Sequence, residues 1–191
     1  MKKLLFSLFV LSFIGMSAQS FGLKAGFNFA NISDVYSDES TSSKMGFHAG
    51  IFSNIPVAER FMVQPELLYN QKGMEYDDRA IKLDYISLPV MFQYDVAQGF
   101  YLEAGPEFSY LVSAVDKNRT GSDSSTEVDI KEDLNSFDVG VGVGLGVDFA
   151  YSYTLFARYV FGVSSIINYD GASSDAKNSV FQLGFAYTFG R

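Results

Sequence analysis

Residues 137–149 read FDVGVGVGLGVDF, and the strict period of two in this stretch decides the fold. Large apolar side chains occupy every odd position, whereas glycine or aspartate occupies every even position. Because successive side chains of a β-strand point to opposite faces, one face of this strand is apolar and the other is small or charged. The spacing argues against a nucleotide-binding glycine loop, which needs G-x-G-x-x-G at the start of a helix.

The same alternation recurs in seven further segments, and no segment has a sustained helical period. The eight predicted strands are residues 21–29, 45–51, 61–70, 86–94, 100–110, 137–149, 153–162 and 181–189. Pro65, Pro89 and Pro106 fall inside these segments. Because proline has no N–H to donate, we expect bulges or interrupted pairing there.

The distribution of residues between the two faces indicates which face is outside. The apolar face carries too many Phe, Tyr and Leu side chains for the interior of eight strands, which only just holds side chains. An apolar outside around a polar lumen is the pattern of outer-membrane barrels. The inward charges are Lys24, Glu66, Glu103, Glu107, Asp138 and Arg158. We therefore predict an all-β fold, an eight-stranded antiparallel up-and-down transmembrane β-barrel in the cell outer membrane.

The connections between the strands alternate strictly between long and short. The long, polar ones are residues 31–44, 71–79, 113–135 and 164–177, and the short ones are 53–60, 95–99 and 150–152. Outer-membrane barrels have short periplasmic turns and longer extracellular loops. The long loops are therefore the predicted contact surface for envelope or surface proteins, and outer-membrane lipid is the partner of the barrel wall.

The N-terminus has the pattern of a secretory signal. Lys2 and Lys3 precede an apolar run over residues 4–16, and small residues follow at positions 17, 18 and 20. This predicts a signal peptide over residues 1–18, cleaved between 18 and 20, and a barrel domain over 19–191. The chain has no cysteine, which excludes disulfides and thiolate chemistry, and its net charge of −8 argues against nucleic acid as a partner.

The candidate catalytic base is His48, the only histidine. A nucleophilic serine needs a base within hydrogen-bond reach, and nothing in the sequence brings the inward Ser87 or Ser109 to His48. We expect His48 to be a lumen residue bonded to Gln64 or Glu66. A lipid-modifying enzyme and a soluble lipocalin-like barrel stay as alternatives to a structural or interaction protein.

The remaining charges suggest no site. An eight-stranded lumen filled by side chains is not an open porin, so we expect buried charges to pair, Arg158 with Glu103 or Glu107. Acidic residues crowd the loops but lack calcium-loop spacing. No catalytic, cofactor-binding or metal-binding residue is assigned, and no cofactor is expected. The loop acids are Asp34, Asp38, Glu39, Glu75, Asp77, Asp78, Asp123, Glu127, Asp129, Glu132 and Asp133.

Several stretches together resemble the PorT-like outer-membrane β-barrel family of Gram-negative bacteria. They are residues 83–94 (LDYISLPVMFQY), 99–111 (GFYLEAGPEFSYL), 137–149, 157–165 (ARYVFGVSS) and 181–189 (FQLGFAYTF), with 22–33 and 61–73 similar to the first and third strands. The resemblance implies a small membrane-embedded barrel. Most of that family has no assigned function, and no residue here points to the secretion and gliding role of one branch.

Overall fold

A computed structural model describes residues 19–33, 42–76, 79–119, 125–166 and 176–189. The predicted signal peptide lies outside these described residues. They form a 3-10 turn at Lys131–Asp133 and the strands β1 (Ser20–Ser33), β2 (Ser42–Ala58), β3 (Phe61–Tyr76), β4 (Arg79–Ala97), β5 (Phe100–Arg119), β6 (Ser125–Asp129), β7 (Phe137–Ala150), β8 (Tyr153–Gly162) and β9 (Lys177–Phe189). Within the described ranges, no helix is long and apolar enough to cross a membrane.

Eight of the strands close into an antiparallel ring in the order β1-β2-β3-β4-β5-β7-β8-β9. The ring closes where β1 pairs with β9 over thirteen consecutive residue pairs, from Phe21 with Phe189 to Ser33 with Lys177. Closure pairs the backbone groups of each strand without water, as hydrocarbon requires. The predicted eight-stranded barrel is confirmed. The ninth strand, β6, pairs with the part of β5 that continues past the ring.

The two faces of the barrel have the predicted polarity. Val141, Leu145 and Phe185 are 43%, 42% and 60% exposed on the outer face. Asp138 and Arg158 are 3% and 1% exposed inside the lumen. Apolar side chains therefore face outward and charges face inward, which confirms the inverted pattern and rules out a soluble barrel with an apolar core.

Outward aromatic rings gather at the two rims of the barrel. At the rim of the short turns, ring pairs such as Phe61 with Tyr94 and Tyr153 with Tyr187 lie 4.7 and 5.0 Å apart between centroids. At the opposite rim the pairs are Phe29 with Phe181, Phe47 with Tyr69, Phe108 with Phe137 and Tyr159 with Phe161. Two aromatic girdles around an apolar band mark the interfaces of a membrane barrel.

The wall of the barrel is much taller on one side. β8 has 10 residues, close to the ~9–11 that a tilted strand needs to cross a bilayer. β5 has 20 residues and β4 has 19, and both continue past the girdle on the long-loop side. The predicted loop over 71–79 is therefore wrong, because β3 runs to Tyr76 and β4 begins at Arg79. Strands above the membrane need no outward apolar residues, so their sequence looked like a loop.

The other predicted connections are confirmed in part. The three short ones are turns of two residues, at positions 59–60, 98–99 and 151–152, with φ +77° at Gly99. The predicted loop over 113–135 instead contains the end of β5, the whole of β6 and the 3-10 turn. The central parts of the loops 31–44 and 164–177 lie outside the described residues.

All three prolines of the predicted strands coincide with gaps in strand pairing. Between β3 and β4, the paired residues skip from Pro65–Val90 to Leu68–Ser87, which passes over Pro89. Between β4 and β5, they skip from Pro89–Glu107 to Phe92–Ala104, which passes over Pro106. The register is unchanged across both gaps, so pairing is interrupted without a bulge. Between β2 and β3, the paired residues skip from Phe52–Glu66 to Ile55–Val63, which passes over Pro65, again without a change of register. The register shifts in β4 lie at Asp84–Tyr85 and Asp95–Ala97.

Candidate functional site

Four buried charges form the first of two ion networks in the lumen, here called the Arg158 cluster (Lys24, Glu66, Glu103 and Arg158). Arg158 Nε donates to Glu103 Oε1 at 2.7 Å, and its two terminal nitrogens donate to Glu66 at 3.0 and 2.7 Å. Lys24 Nζ donates to the same Glu66 at 2.7 Å and lies 4.3 Å from the ring centroid of Phe156. Two cations thus balance two carboxylates, as burial in a low-dielectric interior requires.

The position of these residues in the ring matters as much as their charge. Arg158 belongs to β8 and Glu66 to β3, and these strands are separated by three strands in either direction around the ring. Their hydrogen bonds therefore join opposite walls of the barrel. The side chains of the Arg158 cluster fill the lumen at this level.

A second network, the Lys72 cluster (Lys72, Glu107 and Asp138), lies nearer the long-loop end. Lys72 Nζ is 2.9 Å from Glu107 Oε1 and 3.3 Å from Asp138 Oδ2. One cation faces two carboxylates here, and neutral donors complete the arrangement. Asn178 Nδ2 on β9 donates to Asp138 at 2.9 Å and to the hydroxyl of Tyr85 on the opposite strand β4 at 3.3 Å. This layer also spans the lumen.

Amide side chains fill the level between the two clusters. Asn28 Nδ2 donates to Asn70 Oδ1 at 2.6 Å, and Gln182 Nε2 donates to Asn28 Oδ1 at 3.3 Å. His48 Nδ1 lies 2.7 Å from the same Asn28 oxygen. The expected partners of His48, Gln64 and Glu66, are wrong: the side chain reaches Asn28 on β1 rather than a residue on β3.

The serine–histidine arrangement weighed from the sequence does not form. Ser87 Oγ and Ser109 Oγ are 2.8 Å apart and bond to each other. His48 Nε2 has no hydrogen-bond partner among the described residues, so no described serine lies within reach of that nitrogen. All three side chains are at most 1% exposed in the lumen. Because a nucleophilic serine needs a base within hydrogen-bond reach, His48 cannot serve as that base for Ser87 or Ser109 in this arrangement.

The glycine stripe of β7 makes room for these side chains. A Cβ on Gly146 would lie 2.2 Å from Cζ of Tyr101, and one on Gly144 would lie 3.0 Å from Oε1 of Glu103. On β9, a Cβ on Gly184 would lie 2.8 Å from Cζ of Phe156. The stripe is a packing feature of a strand.

An apolar cluster closes the long-loop end of the lumen. Tyr85 marks its border with the polar lumen, because its ring packs in the cluster while its hydroxyl accepts from Asn178. This mouth cluster consists of Ile32, Met74, Leu83, Tyr85, Leu111, Ala114, Ile166 and Ala176, with Ile81, Ile130 and Leu134 packed against it. At the opposite end, the cavity near Tyr101 measures about 10 Å³, room for a single water.

The tall wall carries a β5–β6 hairpin above the barrel. Val115–Arg119 of β5 pairs with Ser125–Asp129 of β6. Lys117 Nζ donates to the carboxylate of Glu127, and this hydrogen bond lowers the pKa of Glu127 below its ordinary value. Val128 is 53% exposed on the same hairpin. The hairpin end is level with the end of the β3–β4 hairpin, because Arg79 of β4 pairs with Asn118 of β5.

The acidic loop residues do not form a metal site within the described chain. No group of three acidic or histidine side chains there could hold a metal ion. Glu75 lies in β3, and Glu127 and Asp129 lie in β6. Six of the loop acids named from the sequence lie outside the described residues: Asp34, Asp38, Glu39, Asp77, Asp78 and Asp123.

Sequence reasoning found six of the seven charges in the two clusters and missed Lys72. All six lie inside the lumen, at most 3% exposed. The predicted pairing of Arg158 with Glu103 is confirmed, Glu107 pairs with Lys72 instead, and Glu66 was missed as a partner of Arg158. The sequence did contain a signal for Lys72. It follows Asn70 by two residues, so both side chains face the lumen once the predicted third strand is extended to include Lys72.

Comparison with known proteins agrees with this architecture. The model of the family described as "Outer membrane protein beta-barrel domain" matches residues 17–168. No curated protein matches the chain.

Solved structures with the same fold have little sequence in common with the chain. Neisserial surface protein A is 15% identical, with 91% of this chain and 100% of that chain covered and a TM-score of 0.58. The attachment invasion locus protein of Yersinia pestis is 16% identical, with 91% and 100% covered and a TM-score of 0.52. At this identity the likeness shows the fold alone.

Proposed function

Because the chain belongs to the outer membrane protein beta-barrel domain family, we propose that it is an outer-membrane protein that conducts no ions and acts through its extracellular surface. The chain is an integral barrel of the cell outer membrane, and its wall contacts lipid. The observation that carries the proposal is the joining of opposite walls by Arg158 and Glu66, with a second crossing by Asn178 and Tyr85.

The filled lumen argues against a porin role. Buried charges that pair with each other leave no hydrated path, and porins need about sixteen strands to enclose one. The purified barrel in planar bilayers is expected to show no stable conductance, with a sixteen-stranded porin as positive control. Stable, large channels in the wild-type protein would contradict this part of the proposal.

The tall wall supports the second part of the proposal. β4, β5 and β6 form a sheet above the membrane band, and sheets hold side chains in fixed positions better than loops do. Exposed Val128 and Glu127 lie on that sheet, so it offers both apolar and charged contacts. A surface protein of the envelope or of another cell is the partner class that can reach it.

Site-specific photocrosslinking on intact cells tests this contact surface. A photoreactive amino acid at Val128 is expected to crosslink to a surface partner. The matched controls are Val143, similarly exposed but on the lipid-facing wall, and Tyr151, on a turn at the opposite end. Protein crosslinks from Tyr151 and none from Val128 would place the contact at the periplasmic end and refute the proposal.

We also infer that the barrel is not a lipid-modifying enzyme. Support comes from the separation of His48 from Ser87 and Ser109 by the amide layer, and from the burial of all three. Purified protein in vesicles of labelled phospholipid is expected to release no fatty acid. Release that disappears in His48→Ala but persists in Asn70→Ala would refute this inference.

Two finer assignments follow from the sequence. We propose a PorT-like origin, because the resembling stretches coincide with strands β4, β5, β7, β8 and β9. We also propose that residues 1–18 are removed as a signal peptide. N-terminal sequencing of the protein from isolated outer membranes should begin between residues 19 and 21, and an intact Met1 would contradict the cleavage.

A further inference from the structure

We infer that the mouth cluster binds a small apolar molecule the size of one benzene ring. The cluster lines a partly open cavity of about 140 Å³ on the extracellular side of the polar lumen. Its lining contains no polar side chain. The lining residues are Ile32, Met74, Ile81, Leu83, Ile130, Leu134, Ile166 and Ala176.

The chemistry of the lining selects the ligand. A wholly apolar cavity stays dry, because water needs polar partners, and dry cavities of ~150 Å³ in other proteins bind benzene or xenon. An empty cavity also leaves its walls without contact atoms on one side, so an apolar guest restores dispersion contacts. A ligand with a hydroxyl group would find no hydrogen-bond partner on the lining side chains.

The residues that line the cavity from the connections, Ile130, Leu134 and Ile166, are here called the lid, and backbone hydrogen bonds hold them in place. Asn135 N–H donates to Ile166 O at 2.9 Å, and Ile166 N–H donates to Ala176 O at 2.9 Å. Ile130 N–H donates to Ala114 O at 3.1 Å, which ties the start of the lid to β5. These bonds hold Ile130 and Ile166 over the barrel mouth, so the cavity exists before a ligand arrives. Preformed sites lose less entropy on binding.

Methionine methyl NMR on the full barrel in phospholipid nanodiscs tests the inference, with benzene as the probe. Met74 lines the cavity, whereas Met45 is 61% exposed on the lipid-facing wall and reports benzene dissolved in the bilayer. We expect a saturable shift of the Met74 methyl signal, with a dissociation constant on the order of 1 mM. Phenol should bind at least about tenfold more weakly.

Two cavity-filling variants provide the controls. Ala176→Leu fills the cavity from the strand side and Ile166→Phe fills it from the lid, and each should weaken benzene binding at least about tenfold. Ala104→Leu adds the same bulk as Ala176→Leu on the exposed outer wall and should leave binding unchanged. Heat-modifiable gel migration checks that each variant is folded.

Three outcomes would overturn the inference. An unshifted Met74 signal would mean that the cavity takes no ligand. A Met74 shift that grows linearly with that of Met45, or that both filling variants retain, would mean partition into the bilayer. Contacts between the Met74 methyl group and lipid acyl chains in the absence of benzene would assign the cavity to a lipid tail instead.

Discussion

The polar lumen and the mouth cluster fill the same cylinder in two different ways. In the lumen, each charge has a directed partner, and Arg158 alone makes three hydrogen bonds at 2.7 to 3.0 Å. In the mouth, apolar side chains from strand ends and connections meet without directed bonds and leave a cavity of about 140 Å³. Hydrogen-bonded ion pairs hold the charged side chains of the lumen in place, but the loss of one partner leaves a buried charge unpaired. Apolar packing, by contrast, tolerates gaps. The first therefore suits a plug and the second a ligand site.

Removing the central cation of the lumen should have the largest effect. Arg158→Met leaves Glu103 without its ion partner in a buried site, which costs about 3–5 kcal/mol of unfolding free energy. Urea unfolding in phospholipid vesicles, followed by gel migration, measures the loss. Adding Glu103→Gln should recover part of it, because Glu66 keeps Lys24 as partner. A single variant within about 1 kcal/mol of wild type would show that directed pairing is not essential.

Truncating the mouth cluster should cost less. Leu83→Ala removes a fully buried side chain beside an existing cavity, and the expected loss is about 2–3 kcal/mol. Leu102→Ala, on the lipid-facing outer wall, is the matched control and should cost about 1 kcal/mol less than Leu83→Ala, because lipid fills the space and leaves no cavity. The same urea titration compares the two. Equal losses would mean that the mouth cluster packs no better than a lipid-facing surface.

Adding a methyl group to the glycine stripe should distinguish crowded lumen positions from roomy ones. Gly146→Ala forces the Tyr101 ring to move, at an expected cost of about 1–3 kcal/mol. Gly142→Ala meets the flexible end of Met91 at 3.2 Å and Cδ of Arg158 at an ordinary contact distance of 3.4 Å, and it should change stability by less than about 0.5 kcal/mol. Thermal unfolding in one detergent measures both. Indistinguishable midpoints would contradict the packing role of the stripe.

The smallest effect should lie outside the barrel, on the hairpin. Because Lys117 lowers the pKa of Glu127, their hydrogen bond is present at neutral pH and is lost as the pH falls through that lowered pKa. In Lys117→Ala the pKa of Glu127 should return toward its ordinary value, as measured by carboxyl NMR titration. Lys131→Ala is the control, because Lys131 donates to Val112 O. Barrel unfolding should be unchanged in both variants.

The fold could be predicted from the sequence because one observation, the two-residue period, fixes both strand and face. The ends of the strands could not be predicted, because the parts of β3 and β4 that lie above the membrane carry polar outward residues and resemble loops. This error hid Lys72 inside the predicted loop 71–79. The partner Glu66 was missed for another reason: a contact across the full ring depends on strand closure, and pattern reasoning treats each strand separately.

The mouth cluster was missed because its members are scattered. Ile32 and Ile130 are single apolar residues in polar segments, Ile166 is the first of two consecutive isoleucines, and no periodicity links the three. A usable signal exists nonetheless. Isolated large apolar residues in several loops on the same side of a barrel have few places to be buried except against one another. The predicted barrel would have brought these residues together, had they been considered as a set.

The pairing of β1 with β9 makes the start of β1 and the end of β9 neighbours at the base of the cylinder. Phe21 and Phe189 face each other across one ladder, as do the residues that flank each two-residue turn. The ring itself has no first strand. A circular permutant that joins these ends through a short turn and opens at residues 77–78 would keep every strand pair, because the order of synthesis and the order around the ring are separate properties.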